Sequence, residues 1–280
     1  MSKPNLYMVE GGVGKHLQFT SLIEGLYNKD KNKLVINSYY PELFNNHPLV
    51  ADSRDYKNEI IFDAYFQYYN KYSNLYFQDP YRSNFLKGQT HIMDEWAKLY
   101  NIQLQDKRPN FFINTERETV LIPHIKKLKN IILLQFTGGQ GIETKGYDKN
   151  NLGRNYKYGQ ELIYLLQSKY PEHYLLVFGH DNEKPRYDGE TVFKSEEGFS
   201  LFKNREDFII LSKYCNFFIA IDSSLQHICS NINVDKKGIV LWGTTDPLRF
   251  GYENNINLKS SHPYCVEISP HEIIRNTDKL

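Results

Sequence analysis

Four short apolar runs punctuate the second half of the chain, over residues 131–136, 174–178, 217–221 and 238–242. Unbroken apolar runs of this length read as strands buried on both faces, as in a parallel sheet covered by helices. Between and after them the spacing changes to the helical period, predicting helices over 158–169, 205–214 and 225–231. In the last of these, Leu225, Ile228, Cys229 and Ile232 fall at i, i+3, i+4 and i+7 and form one buried stripe. The first half repeats the theme less clearly. It shows a strand over 5–9, a glycine loop, and a helix over 16–28 whose buried face carries Phe19, Leu22, Ile23 and Leu26. A strand over 33–37, another near 59–62 and a helix over 90–100 bearing Ile92, Trp96 and Leu99 follow. Residues 101–125, with Pro109 and Pro123, read as a linker region, and Ser269 followed by Pro270 predicts a short capped closing helix. This alternation predicts an α/β protein of two parallel-sheet domains, with ligands at the C-terminal ends of the strands. The expected division is 1–125, 126–268 and a closing helix within 269–280.

Composition narrows the class without naming it. A chain of 280 residues, 40% hydrophobic and 24% charged, is that of an ordinary globular protein. It has no run of about 18 apolar residues, and Met1 leads into a strand with no signal-peptide pattern. The three cysteines, Cys215, Cys229 and Cys265, lack metal-ligand spacing, so reduced thiols and a cytoplasmic setting are expected. Net charge is +1; residues 1–125 hold 14 basic against 14 acidic residues, leaving 20 against 19 for the rest. Neither half is a basic nucleic-acid domain, although a local groove stays open.

Candidate chemistry gathers where strands end. The strand over 217–221 runs into Asp222, and the next helix begins at Ser223 and Ser224. Free N–H groups and the positive dipole end attract a phosphate there, and His227, one turn in, is expected to point to the same mouth. The alternative is a pair of serines that merely cap a helix. After the strand over 131–136, Thr137, Gly138 and Lys145 suit a diphosphate, or else form a flexible loop with a solvated lysine. Asp181 and Glu183 follow another strand and would accept from ribose hydroxyls, or simply sit in a solvated turn. The segment Glu10-Gly11-Gly12-Val13-Gly14-Lys15-His16 invites comparison with a P-loop, which requires G-x-x-x-x-G-K-(S/T). Val9 stands at the first glycine, His16 at the hydroxyl position, and Glu10 would repel phosphate. The other reading is a glycine turn that lets a molecule approach the backbone at a helix N-terminus, with Gly12, Gly14 and His16 on the acceptor side. Between Tyr65 and Tyr81, eight of 17 residues are aromatic, either a stacking platform or core packing. Asp79, Arg82, His91 and Asp94 are the polar groups near them expected to face a cleft.

Taken in order, these motifs resemble glycosyltransferase family 9, the ADP-heptose:lipopolysaccharide heptosyltransferases and their relatives. Thr144-Lys145-Gly146-Tyr147 looks like the family's Thr-Lys-Arg-Trp, and Asp222-Ser223-Ser224-Leu225-Gln226-His227 is similar to its Asp-(Ser/Thr)-Gly-x-x-His. Trp242-Gly243-Thr244-Thr245-Asp246-Pro247-Leu248-Arg249 is similar to its Phe-Gly-Pro-Thr-(Ser/Asp)-Pro-x-Arg. The first half matches more loosely, through Gly11 to Gly14 and His47-Pro48-Leu49-Val50.

The resemblance implies a GT-B fold, two Rossmann-like parallel-sheet domains facing a central cleft. It implies an inverting glycosyltransferase that needs no metal and no cofactor beyond a nucleotide diphosphate sugar. The donor lies on Thr137, Gly138, Lys145, Ser223 and Ser224, with Asp222 and His227 at the sugar or phosphate and Asp181 or Glu183 at the ribose. The implied acceptor is a cell-surface glycan precursor, with a hydroxylated base in DNA as the alternative. One departure matters: Lys15 stands where the family carries its presumed aspartate base. A protonated lysine cannot take a proton, so Glu10, Asp79, His91 and Asp94 become the candidate bases, and Lys15 is left to bind phosphate. A nucleotide-sugar binding module without turnover and a P-loop ATPase are the readings from other classes.

Overall fold

The computed structural model describes residues 3–55, 71–82, 85, 90–128, 130–138, 155–178, 192–194, 205–262, 265 and 267–280. The chain forms two compact units, Met1–Phe112 and Ile113–Leu280.

In the first unit, strands β1 (Leu6–Val9), β2 (Leu34–Ser38), β3 (Val50–Asp55) and β4 (Leu75–Tyr76) form a sheet in the order β3-β2-β1-β4. All three pairings are parallel. Every residue of β1 and β2 is buried, the polar Asn37 and Ser38 at the end of β2 included. The single helix expected over 16–28 is two: α1 (Val13–Phe19) and α2 (Ile23–Asp30), joined by a tighter turn at Thr20–Leu22. The break has a local cause. The Thr20 and Ser21 hydroxyls donate back to the carbonyls of Leu17 and Gln18 (2.6 and 2.8 Å), competing with the helical ladder.

Helix α3 (Ile92–Tyr100) is capped by His91, whose Nδ1 accepts from the Met93 amide at 3.3 Å. Its Trp96 and Tyr100 meet Phe19 edge-on, and Tyr76 stacks on Tyr7 with ring centres 5.1 Å apart. Part of the aromatic-rich segment is therefore core; the strand expected near 59–62 lies outside the described residues.

The second unit holds β5 (Ile131–Gln135), β6 (Tyr174–Phe178), β7 (Val192–Lys194), β8 (Phe217–Ile221), β9 (Gly238–Trp242) and β10 (Ile256–Lys259). Their order is β10-β9-β8-β5-β6-β7, parallel throughout. Counted within the unit this is 3-2-1-4-5-6, the dinucleotide-binding order, with its switch point between β5 and β8. The period of two is visible in the packing. Ile132, Leu134, Ile219, Ile221, Ile239 and Leu241 face α5 (Gly159–Lys169) and α9 (Pro270–Asn276). Ile131, Leu133, Phe218, Ala220, Val240 and Trp242 face α4 (Thr115–Ile125), α6 (Arg205–Lys213) and α7 (Ser224–Cys229). A short α8 (Pro247–Phe250) follows β9.

The region expected as linker over 101–125 is corrected. Residues 115–125 form α4 despite Pro123 inside it, with the Asn114 side chain accepting from the Arg117 amide at 3.0 Å. Arg117 pairs with the fully buried Asp207 at 2.7 Å, and Glu118 accepts from Lys213 and Tyr214 at 2.7 and 2.6 Å. These bonds fasten α4 to α6, which is why the units divide before Ile113 and not after residue 125. β7 and β10 were not foreseen. The alternating INLK of β10 lacks a continuous apolar run, because it closes the sheet at an edge.

Two outcomes follow for stability. A methyl on Gly238 would stand 2.4 Å from the Phe218 ring and 2.5 Å from its carbonyl oxygen. Gly238→Ala therefore lowers stability by about 1–3 kcal/mol, read from the urea midpoint. His47 is buried against Phe112, its Nδ1 accepts from the Leu49 amide, and burial pushes its pKa down to about 4. A folded pKa below the unfolded value of about 6.5 means the stabilisation is full above that value and is lost as pH falls towards 4. The loss is on the order of 3 kcal/mol. His47→Asn, which keeps an acceptor for Leu49, flattens the melting temperature profile across that window.

Candidate functional site

In an open parallel sheet the connections on either side of the switch point leave in opposite directions, and a crevice opens at the strand ends. In the second unit this places the end of β5 beside the end of β8. Gln135, the last residue of β5, reaches across. Its Oε1 accepts from the Ser223 hydroxyl at 2.5 Å and from the Leu225 amide at 3.1 Å, while its Nε2 donates to the Thr137 carbonyl at 3.3 Å. Ser223 takes the N-cap position of α7 but makes no cap bond of its own; Gln135 supplies that bond from the neighbouring strand. Thr137, Gly138 and Ser224 remain half-exposed on this rim.

Two of the expected donor-site residues are buried at this turn. Asp222 is 5% exposed and accepts from Gln226 Nε2 at 2.6 Å. His227 is likewise 5% exposed, with Nδ1 2.6 Å from the buried Tyr252 hydroxyl. Each is thus held by a bond within this part of the fold. Lys145, Asp181 and Glu183 lie outside the described residues.

The next rim turn, Gly243 to Thr245, is tied down by Lys259 at the end of β10, which donates to the Gly243 carbonyl at 2.6 Å and also to that of Thr245. Asp246 caps α8 by accepting from the Leu248 amide at 2.9 Å. Gln135, Tyr252 and Lys259 were missed by the sequence reading. Gln135 had a signal: one amide ends an otherwise apolar strand.

The first sheet has its own switch point, between β1 and β4. After β1 the chain turns at Glu10, Gly11 and Gly12, with Gly11 at φ +102°, a conformation that favours glycine. The aliphatic stem of Lys15 lies over Gly11, and its ammonium reaches Asp79, just beyond β4, at 3.0 Å. This ion pair is largely buried, at 12% and 14% exposure. The Tyr81 ring, 41% exposed, and the buried Trp96 ring lie 5.2 and 5.7 Å from the ammonium. Asp79 also accepts from the Tyr81 amide at 3.0 Å, which orients the carboxylate.

Lys15 and Asp79, both expected at a catalytic centre, are thus brought together. The other candidates are not. His91 caps α3, and Asp94 pairs with Lys107 at 2.8 Å. Glu10 is half-buried in the turn, Gly12 faces open space, Gly14 sits within α1, and Arg82 ends a short helical turn at Pro80–Arg82. His16, expected on the acceptor side, is fully buried, with its ring nitrogens 3.0 and 2.9 Å from the Gly12 and Val9 carbonyls. No group of three or more His, Cys, Asp or Glu among the described residues is placed to hold a metal ion.

No family model matches the chain, and no curated protein matches it either. Solved structures do. A family 9 glycosyltransferase from Veillonella parvula is similar at TM-score 0.64 and 12% identity, over 99% of this chain and 96% of its own. The chain has the fold of these glycosyltransferases, two parallel α/β sheets of GT-B type, shared across its length. In particular it is similar to E. coli ADP-heptose lipopolysaccharide heptosyltransferase II, at TM-score 0.69 and 10% identity over 99% of this chain and 98% of that one. The E. coli heptosyltransferase WaaC with ADP matches at TM-score 0.61 and 10% identity, over 99% of each chain.

The Lys15–Asp79 pair sets a stability test. Lys15→Met leaves a largely buried carboxylate without its cation and costs about 1–3 kcal/mol. Adding Asp79→Leu to that variant recovers most of the loss in urea unfolding.

Proposed function

We propose that this protein is an inverting, metal-independent glycosyltransferase that moves a sugar from a nucleotide diphosphate sugar to an acceptor hydroxyl. The observation that carries this reading is the likeness of fold to the E. coli heptosyltransferases over nearly the whole of both chains.

In this reading the donor diphosphate lies on the rim of the second sheet, against Thr137, Gly138 and Ser224, with Lys145 as its counter-charge and Asp181 or Glu183 at the ribose. Asp222, His227 and Gln135 hold that rim in shape from behind. The acceptor hydroxyl lies at the switch point of the first sheet. Asp79 takes its proton, the acceptor oxygen bonds to the anomeric carbon, and the bond from that carbon to the phosphate oxygen breaks. The nucleoside diphosphate leaves with the electron pair, and single displacement inverts the anomeric centre. The N-terminal helix dipole and Lys145 offset the leaving charge, so no metal is needed.

The binding-module alternative rested on a lysine in place of the base. Asp79, 3.0 Å from that lysine and at the same strand ends, supplies a carboxylate from a different element and supports turnover. Lys15 orients it. Tyr81, partly exposed beside the pair, offers an aromatic face to an acceptor sugar. A cell-surface glycan precursor is the acceptor that this chemistry fits, with the reaction in the cytoplasm. The three buried free cysteines accord with a reducing setting, and no helix among the described residues is long and apolar enough to cross a membrane.

Calorimetry against a panel of nucleotide sugars, beginning with ADP-heptose, tests the donor site; binding of none of them sinks the proposal. Asp79→Asn lowers the transfer rate by roughly 10²- to 10⁴-fold while donor affinity is unchanged.

A further inference from the structure

The β1–α1 turn contains a group that the proposed reaction does not itself consume. His16 is fully buried, and both of its ring nitrogens face main-chain carbonyl oxygens: Nδ1 lies 3.0 Å from that of Gly12, Nε2 2.9 Å from that of Val9. A carbonyl oxygen only accepts, and a neutral imidazole carries one N–H. With a single proton, one contact would oppose a ring lone pair to a carbonyl lone pair at hydrogen-bond distance, in the interior, where unmade hydrogen bonds are expensive. With two protons both contacts become charge-assisted hydrogen bonds.

We propose that His16 is held as an imidazolium at neutral pH and acts as a positioning residue, closing both ends of the glycine turn that presents Lys15 to Asp79. Val9 ends β1 and Gly12 is the N-cap of α1, so one ring spans the whole turn. The turn also contains Gly11 at φ +102°, over which the Lys15 stem is folded. A turn left loose at either end would move that stem, and with it the ammonium that orients Asp79.

The surroundings accommodate the charge. The Tyr40 ring stands perpendicular to His16 with centres 4.8 Å apart, and Tyr39 and Phe44 lie at 6.5 Å, so aromatic rings wall the cation. Among the described residues, Tyr39 and Tyr40 bring hydroxyls from the segment after β2, Glu10 lies in the same turn and Lys15 is adjacent on the same helix. The Lys15 charge is balanced by Asp79 beyond β4. Because the folded protein holds the second proton more tightly than the unfolded chain does, the stabilisation is full below about pH 6.5 and disappears as pH rises through the ring's own titration.

The protonation claim stands apart from the reaction; only its kinetic consequence rests on the proposed transfer. Heteronuclear NMR of the ring nitrogens in the wild-type protein reads it directly. Two protonated nitrogens on His16 at neutral pH are expected, with the amides of Gly11 and Gly12 shifting as the pH is raised through its titration. One protonated nitrogen and one lone pair at neutral pH would overturn the claim. In transfer assays, His16→Asn is expected to lower kcat roughly 10- to 100-fold with the donor KM unchanged, and an unaltered kcat would overturn the positioning role. If no nucleotide sugar is turned over, the enzymatic reading fails while the NMR result still decides the state of His16.

Discussion

The parallel pairing of β5 with β8 is the constraint on which the second unit's chemistry depends. These strands come from distant parts of the chain, and the helices that follow them lie on opposite faces of the sheet. That reversal sets the C-terminal ends of the two strands side by side at the switch point. Gln135 and Ser223, 88 residues apart, then fall within hydrogen-bonding distance. The side chain at the end of one strand caps the helix that follows the other.

The first unit solves the same geometric problem with charge instead of an amide. Its switch point, between β1 and β4, joins Lys15 to Asp79 across two strand ends. A largely buried ion pair is worth little net stability against an apolar pair of the same shape. Its value here is directional. The carboxylate is fixed by the ammonium and by the Tyr81 amide, and a partly exposed aromatic ring lies beside it. An aspartate on α1 would be carried by the turn itself; in this chain the carboxylate enters from the far side of the switch point.

Support for the two rims runs inward in a common way. Asp222 bonds to Gln226 and His227 to Tyr252 beneath the second rim, and Lys259 holds the carbonyls of the turn after β9. His16 does the corresponding work beneath the first, bonding the carbonyls at either end of its turn. Polar side chains that a motif would place at a ligand are thus also bonded within the protein, to backbone carbonyls and to neighbouring side chains.

What the chain's own pattern determined was the set of central strands and their class. The runs at 174–178, 217–221 and 238–242 match β6, β8 and β9 residue for residue, because a strand buried on both faces must be apolar throughout. The helices expected over 158–169, 205–214 and 225–231 are found as α5, α6 and α7, whereas the short α8 after β9 was not foreseen. Edge strand β10 and helix α4 were not foreseen either, since an exposed edge tolerates alternation and Pro123 interrupts the helical spacing. Of the candidate site, the glycine turn and the serine-led helix start could be read, because local backbone needs dictate those residue types. Which side chains meet there could not be. Whether Asp79 or His91 stands beside Lys15, and whether Asp222 and His227 face outward or inward, is decided by strand order and by the bonds available across it. Those partners lie far away along the chain, and only the closed sheet brings them within reach.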